Sequence, residues 1–423
     1  MSHRTRNPNP STWSCTNQGI RTARIRHHGS SACLAIILAL FSLAGISCVS
    51  AQPQTERISG FIIGHAGFVF EDPFRALFMQ DPLFTYTLYP LPPDLSNHDK
   101  QKLDRVYYPR TRRVLIDSYD LMILHDARIM HFTTDKIHDL DHAFRNAEMT
   151  GIMVFMGSFL WDWVFDPTIL RDLVPISHHE AAKYAGFKVV FRRDRDPVFL
   201  PFLDLGIENV MGNAVAEMTA KQGATIWGDI VPQNQPWLVS WRPGGENPGM
   251  QWVLIQWYWD GWWSEKNNPY SLDVATNLIF HSLDRPLIRD IQARRQARRL
   301  FATLQAKKSV ALSTLEWAES FGGNIQTLWN RVNQLELEMR EAYADYYEQD
   351  YEGTILFLES MSPKVSEIAS DAVRLKDEAM FWVFLSEWAI VASVSIASGA
   401  VIWTVMIRRR MYKAVEATRL TRI

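Results

Sequence analysis

The chain has 423 residues, with 44 Lys and Arg against 46 Asp and Glu, for a net charge near −2. That balance gives no electrostatic reason to bind nucleic acid, and the length leaves room for one or two domains with sizeable cores. The three cysteines, Cys15, Cys33 and Cys48, all precede Ala51, which restricts the chemistry open to the rest of the chain.

The N-terminus carries Arg4, Arg6, Arg21, Arg24 and Arg26 without an acid, then an apolar run from Ala32 to Ile46, then small residues at Val49-Ser50-Ala51. A basic leader, a short apolar stretch and a small-residue exit read as a secretory signal peptide over residues 1–51. Cleavage after Ala51 would leave a mature chain with no cysteine, excluding disulfides, a thiolate nucleophile and a Cys-ligated metal. Cys48 is alternatively a lipid-attachment site, although the preceding Gly45-Ile46-Ser47 departs from the bacterial lipobox.

Pro and Gly punctuate the chain up to Pro286 and are sparse beyond it, which separates an exported domain over 52–285 from a C-terminal portion of different make-up. Within the exported domain, Gly60-Phe-Ile-Ile-Gly, Leu121-Met-Ile-Leu, Ile152-Met-Val-Phe, Phe187-Lys-Val-Val-Phe and Trp252-Val-Leu-Ile-Gln are short, continuous apolar runs. Helical stretches such as Thr134 to Ala147, with Thr134 as N-cap, and Ser271 to Leu283 alternate with them. That pattern predicts an α/β domain with a mostly parallel sheet covered on both faces.

The order Tyr119-Asp120-Leu-Met-Ile-Leu-His125-Asp126, a helix, Gly151-Ile-Met-Val-Phe-Met-Gly157-Ser158-Phe159 and Asp172-Leu-Val-Pro175 resembles class I glutamine amidotransferase-like domains. Asp196-Pro197-Val198-Phe199 is similar to a later step of that family. The stretch from Gly223-Ala224-Thr225 to Pro236-Trp237-Leu238-Val239 is similar to its last strands. The resemblance covers about Ile58 to Leu283. It implies a doubly wound, flavodoxin-like fold with any ligand at the C-terminal edge of the sheet. It does not carry glutamine hydrolysis with it, because the family's nucleophile is a cysteine and none follows Cys48. Ser158 lacks the second glycine of a G-x-S-x-G elbow. His178-His179-Glu180 comes too early for the family's His and Glu pair and reads as a solvated loop or helix start.

Two other groups are candidate sites. His138 and His142 share a helix face at i, i+4, but no third ligand is evident, so no metal and no cofactor is implied. Seven tryptophans fall between Trp237 and Trp263. Most suit alternation in a buried strand. The turn at Asp260-Gly261, flanked by Trp257, Trp259, Trp262 and Trp263, is the candidate ligand or partner surface, with Trp262 and Trp263 as an exposed pair.

Beyond Asp284 the chain reads as helical. The basic stretch to Lys308 (Arg285, Arg289, Arg294, Arg295, Arg298, Arg299, Lys307 and Lys308 among its residues) suits a solvated face, anionic lipid or an acidic partner. Heptad seams run through Ile325, Leu328, Val332, Leu335, Met339, Ala342 and Tyr346, and through Leu358, Met361, Val365, Ile368, Ala372, Leu375, Ala379 and Trp382. They define a helical stalk over 286–380, either an intramolecular hairpin turned at Glu348 to Gly353 or a self-associating coiled coil. Ser362-Pro363 reads as the start of the last helix. Residues 381–407 hold a single acid, Glu387, and are long enough to cross about 30 Å of hydrocarbon. The tail 408–423, opening on Arg408-Arg409-Arg410, places the C-terminus inside and the N-terminal domain outside a cell membrane. Ser395 and Gly399 offer a close-packing face within the span, and Glu387 either snorkels or pairs with a partner helix.

Two functions fit this layout: a non-catalytic, membrane-anchored extracytoplasmic binding or scaffold protein, or an exported hydrolase or carbohydrate-processing enzyme. The second would use carboxylates such as Asp162, Asp166 and Asp260 with the tryptophan-rich loop, yet no spacing ties those acids together. Expected partners are membrane lipid and a protein partner or second copy, met through the stalk and span, and no nucleic acid.

Overall fold

The chain divides into Met1–Pro53 and Gln54–Ile423. The computed structural model describes residues 57–64, 73–91, 95–125, 132–155, 169–179, 183–192, 197–208, 210–215, 217–255, 263 and 265–420, all in the second unit. The first strands and helices alternate: β1 (Ile58–Gly64), α1 (Pro73–Gln80), β2 (Phe84–Pro90), α2 (Asn97–Tyr107), α3 (Arg112–Ser118), β3 (Leu121–His125), α4 (Thr134–Asn146) and β4 (Thr150–Phe155). Next come β5 (Ile176–His179), β6 (Lys183–Phe191), α5 (Leu200–Asp204), β7 (Met211–Val215), β8 (Met218–Ala220), β9 (Thr225–Val231), β10 (Gln235–Trp241) and β11 (Gln251–Ile255). Helices complete the chain: α6 (Ser271–Ser282), α7 (Ile291–Ser320), α8 (Gln326–Tyr347) and α9 (Tyr351–Leu420).

Nine strands form one mixed sheet in the order β2-β1-β3-β4-β11-β10-β9-β6-β7, and β5 pairs with β8 apart from it. The five strands from β2 to β11 are mutually parallel, whereas β10, β9, β6 and β7 continue antiparallel. The expectation of a mostly parallel sheet is therefore corrected for its second half. The reason is local: β9 and β10 are joined by a short turn with Asn234 at φ 54°, and a turn that short joins only antiparallel neighbours.

Alternation along the parallel strands separates two cores. Ile58, Ile62, Leu121, Ile123, Ile152, Trp252 and Leu254 face α1, α6 and α7. Phe61, Ile63, Met122, Leu124, Met153 and Val253 face α3 and α4. Helices thus cover both faces, which is why these strands read as unbroken apolar runs. At Gly60 an added Cβ would sit 2.5 Å from the ring of Phe78, so the glycine is what lets α1 lie close on β1. The helix α4 starts one residue earlier than its sequence suggests, with Thr133 at the N-cap.

α6 is buried nearly all round, from Ser271 through Phe280, because the sheet lies on one side of it and the C-terminal helices on the other. Its polar groups are met internally: the Asn277 side chain accepts from the Ile288 backbone at 3.0 Å and donates to the Val198 carbonyl at 3.3 Å.

α7, α8 and α9 form an up-down-up bundle. Leu328, Val332, Leu335, Met339, Ala342 and Tyr346 of the first seam are buried, and they share cores with Leu358, Met361, Val365, Ile368 and Ala372 of the second. The two stripes therefore close on each other and on α7 within one chain. Arg331 pairs with Asp371 at 2.7 Å and Lys364 with Glu338 at 2.7 Å, fixing the antiparallel register. The return between α8 and α9 is made at Glu348 to Asp350, with Gln349 at φ 66°.

One expectation fails here. Pro363 does not begin a helix but lies inside α9, which runs unbroken for 70 residues. Burial of Leu358 and Met361 before it and Val365 after it holds both sides of the proline on one stripe, and tertiary packing overrides its helix-breaking tendency. Periodic burial along α9 ends at Ala379, and none of the residues from Met380 to Lys413 is buried. Among the described residues, this helix is the one long and apolar enough to cross a membrane.

Replacing a buried seam leucine should cost far more than replacing an outward one. Leu335→Ala is expected to destabilise the detergent-solubilised chain by about 2–5 kcal/mol. Leu337→Ala, at a position 53% exposed, should change it by no more than about 0.5 kcal/mol. Chemical denaturation followed by helical circular dichroism checks both.

Candidate functional site

Gly64, His125, Phe155 and Ile255 end the parallel strands β1, β3, β4 and β11 at one edge of the sheet. In open α/β sheets ligands bind at that edge, where the strand order reverses; here the reversal falls between β1 and β3. His125 closes β3 there and is buried, 1% exposed. Ser158, Asp162, Asp166, Trp257, Trp259, Asp260 and Trp262 lie outside the described residues.

Trp263 is described, and it is not half of an exposed pair. It is fully buried, stacked on Trp237 at 6.0 Å between ring centres and set against Phe74 at 6.1 Å. Trp237 itself packs edge-on to Phe191 and Phe199. The large apolar faces of these rings are satisfied by one another, so Trp263 belongs to the core between sheet and α1. Trp252 and Trp227 are also core, each donating its indole N–H to a serine, Ser282 at 2.7 Å and Ser240 at 2.8 Å.

The histidine groups resolve differently from a ligand set. On α4 the intervening acids are already engaged, Asp139 by Arg112 at 2.7 Å and Asp141 by Arg145 at 2.8 Å. No cluster of three potential metal ligands exists among the described residues. His178 and His179 lie in β5, not in a loop or helix start, because this stretch pairs with β8.

The most unusual chemistry sits where the α/β head meets the helical bundle. Asp81 follows α1, Asp273 lies in the first turn of α6, Arg294 and Arg298 lie one turn apart on α7, and Tyr346 lies in the last turn of α8. All five are essentially inaccessible to solvent. Arg294 bridges both acids, donating to Asp81 and to Asp273. Arg298 donates to the other oxygen of Asp273 at 2.8 Å and lies 3.7 Å from Glu265. The Tyr346 hydroxyl donates to Asp81 at 2.9 Å, and the Leu83 backbone N–H donates to it at 3.0 Å. Burial by itself works to discharge Arg294; Asp81, Tyr346 and Asp273 outweigh it, so its pKa is raised and the guanidinium stays charged. Burial pushes the Tyr346 hydroxyl well up, with Asp81 adding to this and Arg294 opposing, so it remains a neutral donor.

Around this core, weaker contacts tie the same surfaces together. The Tyr347 hydroxyl donates to the Pro82 carbonyl at 3.0 Å and accepts from Arg57 at 2.8 Å, and Gln349 donates to the Pro286 carbonyl at 2.9 Å. The reading of Arg294 and Arg298 as part of a solvated basic face is corrected by the structure. A usable signal existed: both arginines interrupt the apolar stripe Ile291, Ala297, Phe301 and Leu304, where a charge needs a buried counter-ion.

In the apolar segment of α9, Glu387, Ser395 and Gly399 all face outward. Ser395 returns its hydroxyl to the Val391 carbonyl at 2.8 Å, which satisfies it without a partner helix. Among the described residues, no heavy atom outside the helix's own local backbone and the two chain neighbours of Gly399 lies within 4 Å of a Cβ placed on that glycine. Phe381, Trp382, Phe384 and Trp388 cluster at one end of the segment and Trp403 and Tyr412 at the other, all exposed, as interfacial aromatic belts are.

No protein-family model matches the chain, and no curated protein matches it. Among solved structures, an mmIFT52 N-terminal domain aligns with 55% of this chain and 100% of its own, at 11% identity and a TM-score of 0.33. A likeness that slight carries no inference about fold or function.

The junction makes a distinctive stability prediction. Arg294→Met leaves Asp81 and Asp273 with one buried arginine between them and should cost about 3–5 kcal/mol. Adding Asp81→Asn, which keeps an acceptor but removes the charge, should recover part of that loss. Thermal unfolding of the single and double variants checks this; a double variant less stable than Arg294→Met would show that the two charges are not coupled.

Proposed function

We propose that the protein is a single-pass, membrane-anchored binding or scaffold protein that holds a non-catalytic α/β head outside the cytoplasm. The observation that carries this reading is mechanical: the head is clamped by a buried ion network to a helical bundle whose last helix continues without a break into an apolar segment. A free-standing enzyme has no need of such a joint, whereas a display module depends on it.

The head is a flavodoxin-like, amidotransferase-type domain that has no nucleophile. The order β2-β1-β3-β4-β11 of its parallel strands supports this, since the doubly wound class winds both ways from a reversal beside β1. The absence of any cysteine after Cys48 removes the thiolate such chemistry requires. The leader over residues 1–51 exports the head, and Arg408, Arg409 and Arg410 retain the tail in the cytoplasm. Ser395 and Gly399 provide the face for a second copy or a partner helix within the bilayer.

Two measurements test the reading. With Cys15, Cys33 and Cys48 replaced by serine, a single cysteine at the exposed stalk position Glu359 should react with a membrane-impermeant maleimide in intact cells. One at Arg419 should react only after lysis, and the reverse pattern overturns the orientation. The purified full chain should release no ammonia from glutamine above the buffer rate; turnover abolished by Ser158→Ala would show instead that the head is an enzyme.

A further inference from the structure

Arg295 and Arg299 lie one turn apart on α7 and line an open groove of about 440 Å³ together with Gln292, Gln296, Thr303 and Tyr270. Unlike their neighbours Arg294 and Arg298, which are consumed by buried acids, neither has an acidic partner among the described residues. Arg295 is braced from one side, its guanidinium carbon 5.0 Å from the centre of the Tyr270 ring. Its Nε is buried with no hydrogen-bond partner. The groove is therefore positively charged and already shaped; the Thr303 hydroxyl is spent on the Arg299 carbonyl at 2.8 Å, but no acid engages the two guanidiniums among the described residues.

We propose that this groove binds an acidic segment of a partner protein, laid in extended conformation along α7. Three features fix the chemistry. The lining from Gln292 to Thr303 spans about 16 Å of helix, the length of roughly five extended residues. The two arginines, four positions apart, are separated by about 6 Å, close to the roughly 6.6 Å between alternate residues of an extended strand. Carboxylates at every second position thus meet successive guanidiniums, and the amides of Gln292 and Gln296 can both donate to and accept from the peptide backbone.

Height above the bilayer argues against a lipid headgroup, a step that rests on the anchored arrangement proposed above. Lys307 bonds Ser366 at 3.1 Å and Lys376 lies over Trp317, so α7 and α9 run alongside with an offset of 59 positions (366 − 307 and 376 − 317). Arg299 is then level with Leu358, 23 residues before Phe381, or about 35 Å from the start of the apolar segment. At physiological salt the field of anionic headgroups decays over about 8 Å.

The test uses the full chain in mild detergent and a fluorescein-labelled peptide with glutamate at alternate positions, followed by anisotropy. Saturable binding is expected, weakened about tenfold by Arg295→Gln with Arg299→Gln and by a rise from about 0.05 to 0.5 M salt. Binding that the double variant leaves unchanged overturns the proposal. So does displacement by millimolar inorganic phosphate, which would make this a small-anion site, or by vesicles containing phosphatidylglycerol, which would make it a lipid site. Should the double variant unfold, the wild-type chain still decides: a peptide of equal charge with its glutamates adjacent should bind several-fold more weakly, and equal binding refutes the spacing argument. Failure of the anchored reading is read separately, from the maleimide pattern, and leaves these binding outcomes intact.

Discussion

The arrangement of this molecule depends on two aspartates and two arginines buried at one point. Asp81 and Asp273 belong to the head, Arg294 and Arg298 to the bundle, and their charges cancel. Against a well-packed apolar substitute such a network contributes little net stability. Its effect is on register. Sliding or turning α7 by one residue would separate the guanidiniums from the carboxylates and leave both unpaired in a dry interior, at a cost of several kcal/mol per charge. Apolar contacts such as Phe301 on Tyr343 and Tyr346 tolerate small shifts; the ion network does not. One bonding geometry between head and bundle is selected, and Tyr346 extends it to α8.

The sheet divides the head into a parallel half and an antiparallel half. Its parallel half carries the crossover helices and presents one edge at which β1, β3, β4 and β11 all end. Its antiparallel half, β10-β9-β6-β7, widens the platform and supplies Trp227, Trp237 and Phe191, which pack with Phe199 at the start of α5. α6 lies between this platform and the bundle as a nearly enclosed layer, so that the head's core and the bundle's core form one continuous apolar cluster. Head and bundle are consequently one body rather than a domain on a flexible tether.

Much of this was legible in the residues, for identifiable reasons. Continuous apolar runs announced β1, β3, β4 and β11 because those strands are buried on both faces, and 3-4 spacing announced both seams. β2 was not recognised, since Thr85 and Thr87 sit between aromatics at an edge that is only half covered. Pro363 misled because local propensity opposes a helix there while packing on both sides enforces one. At the site level the same limit applied twice: Trp263 looks like a loop-tip aromatic, and Arg294 like a solvated cation. Only long-range partners, 26 positions away for Trp237 and 213 positions away for Asp81, decide that both are interior.

The unbroken course of α9 converts any reorientation of its apolar segment into displacement of the head. From Tyr351 to Met380 the helix rises about 45 Å with its neighbours braced against it. Spanning helices rest at tilts near 20°, and over that lever arm such a tilt carries the head about 15 Å sideways. Rotation about the helix axis would turn the sheet edge and the α7 groove through the same angle. Were the apolar segment set in a bilayer, as proposed, a change in bilayer thickness or the arrival of a neighbouring helix would be read out, without any local rearrangement, as a new position and bearing of the sheet edge and the α7 groove.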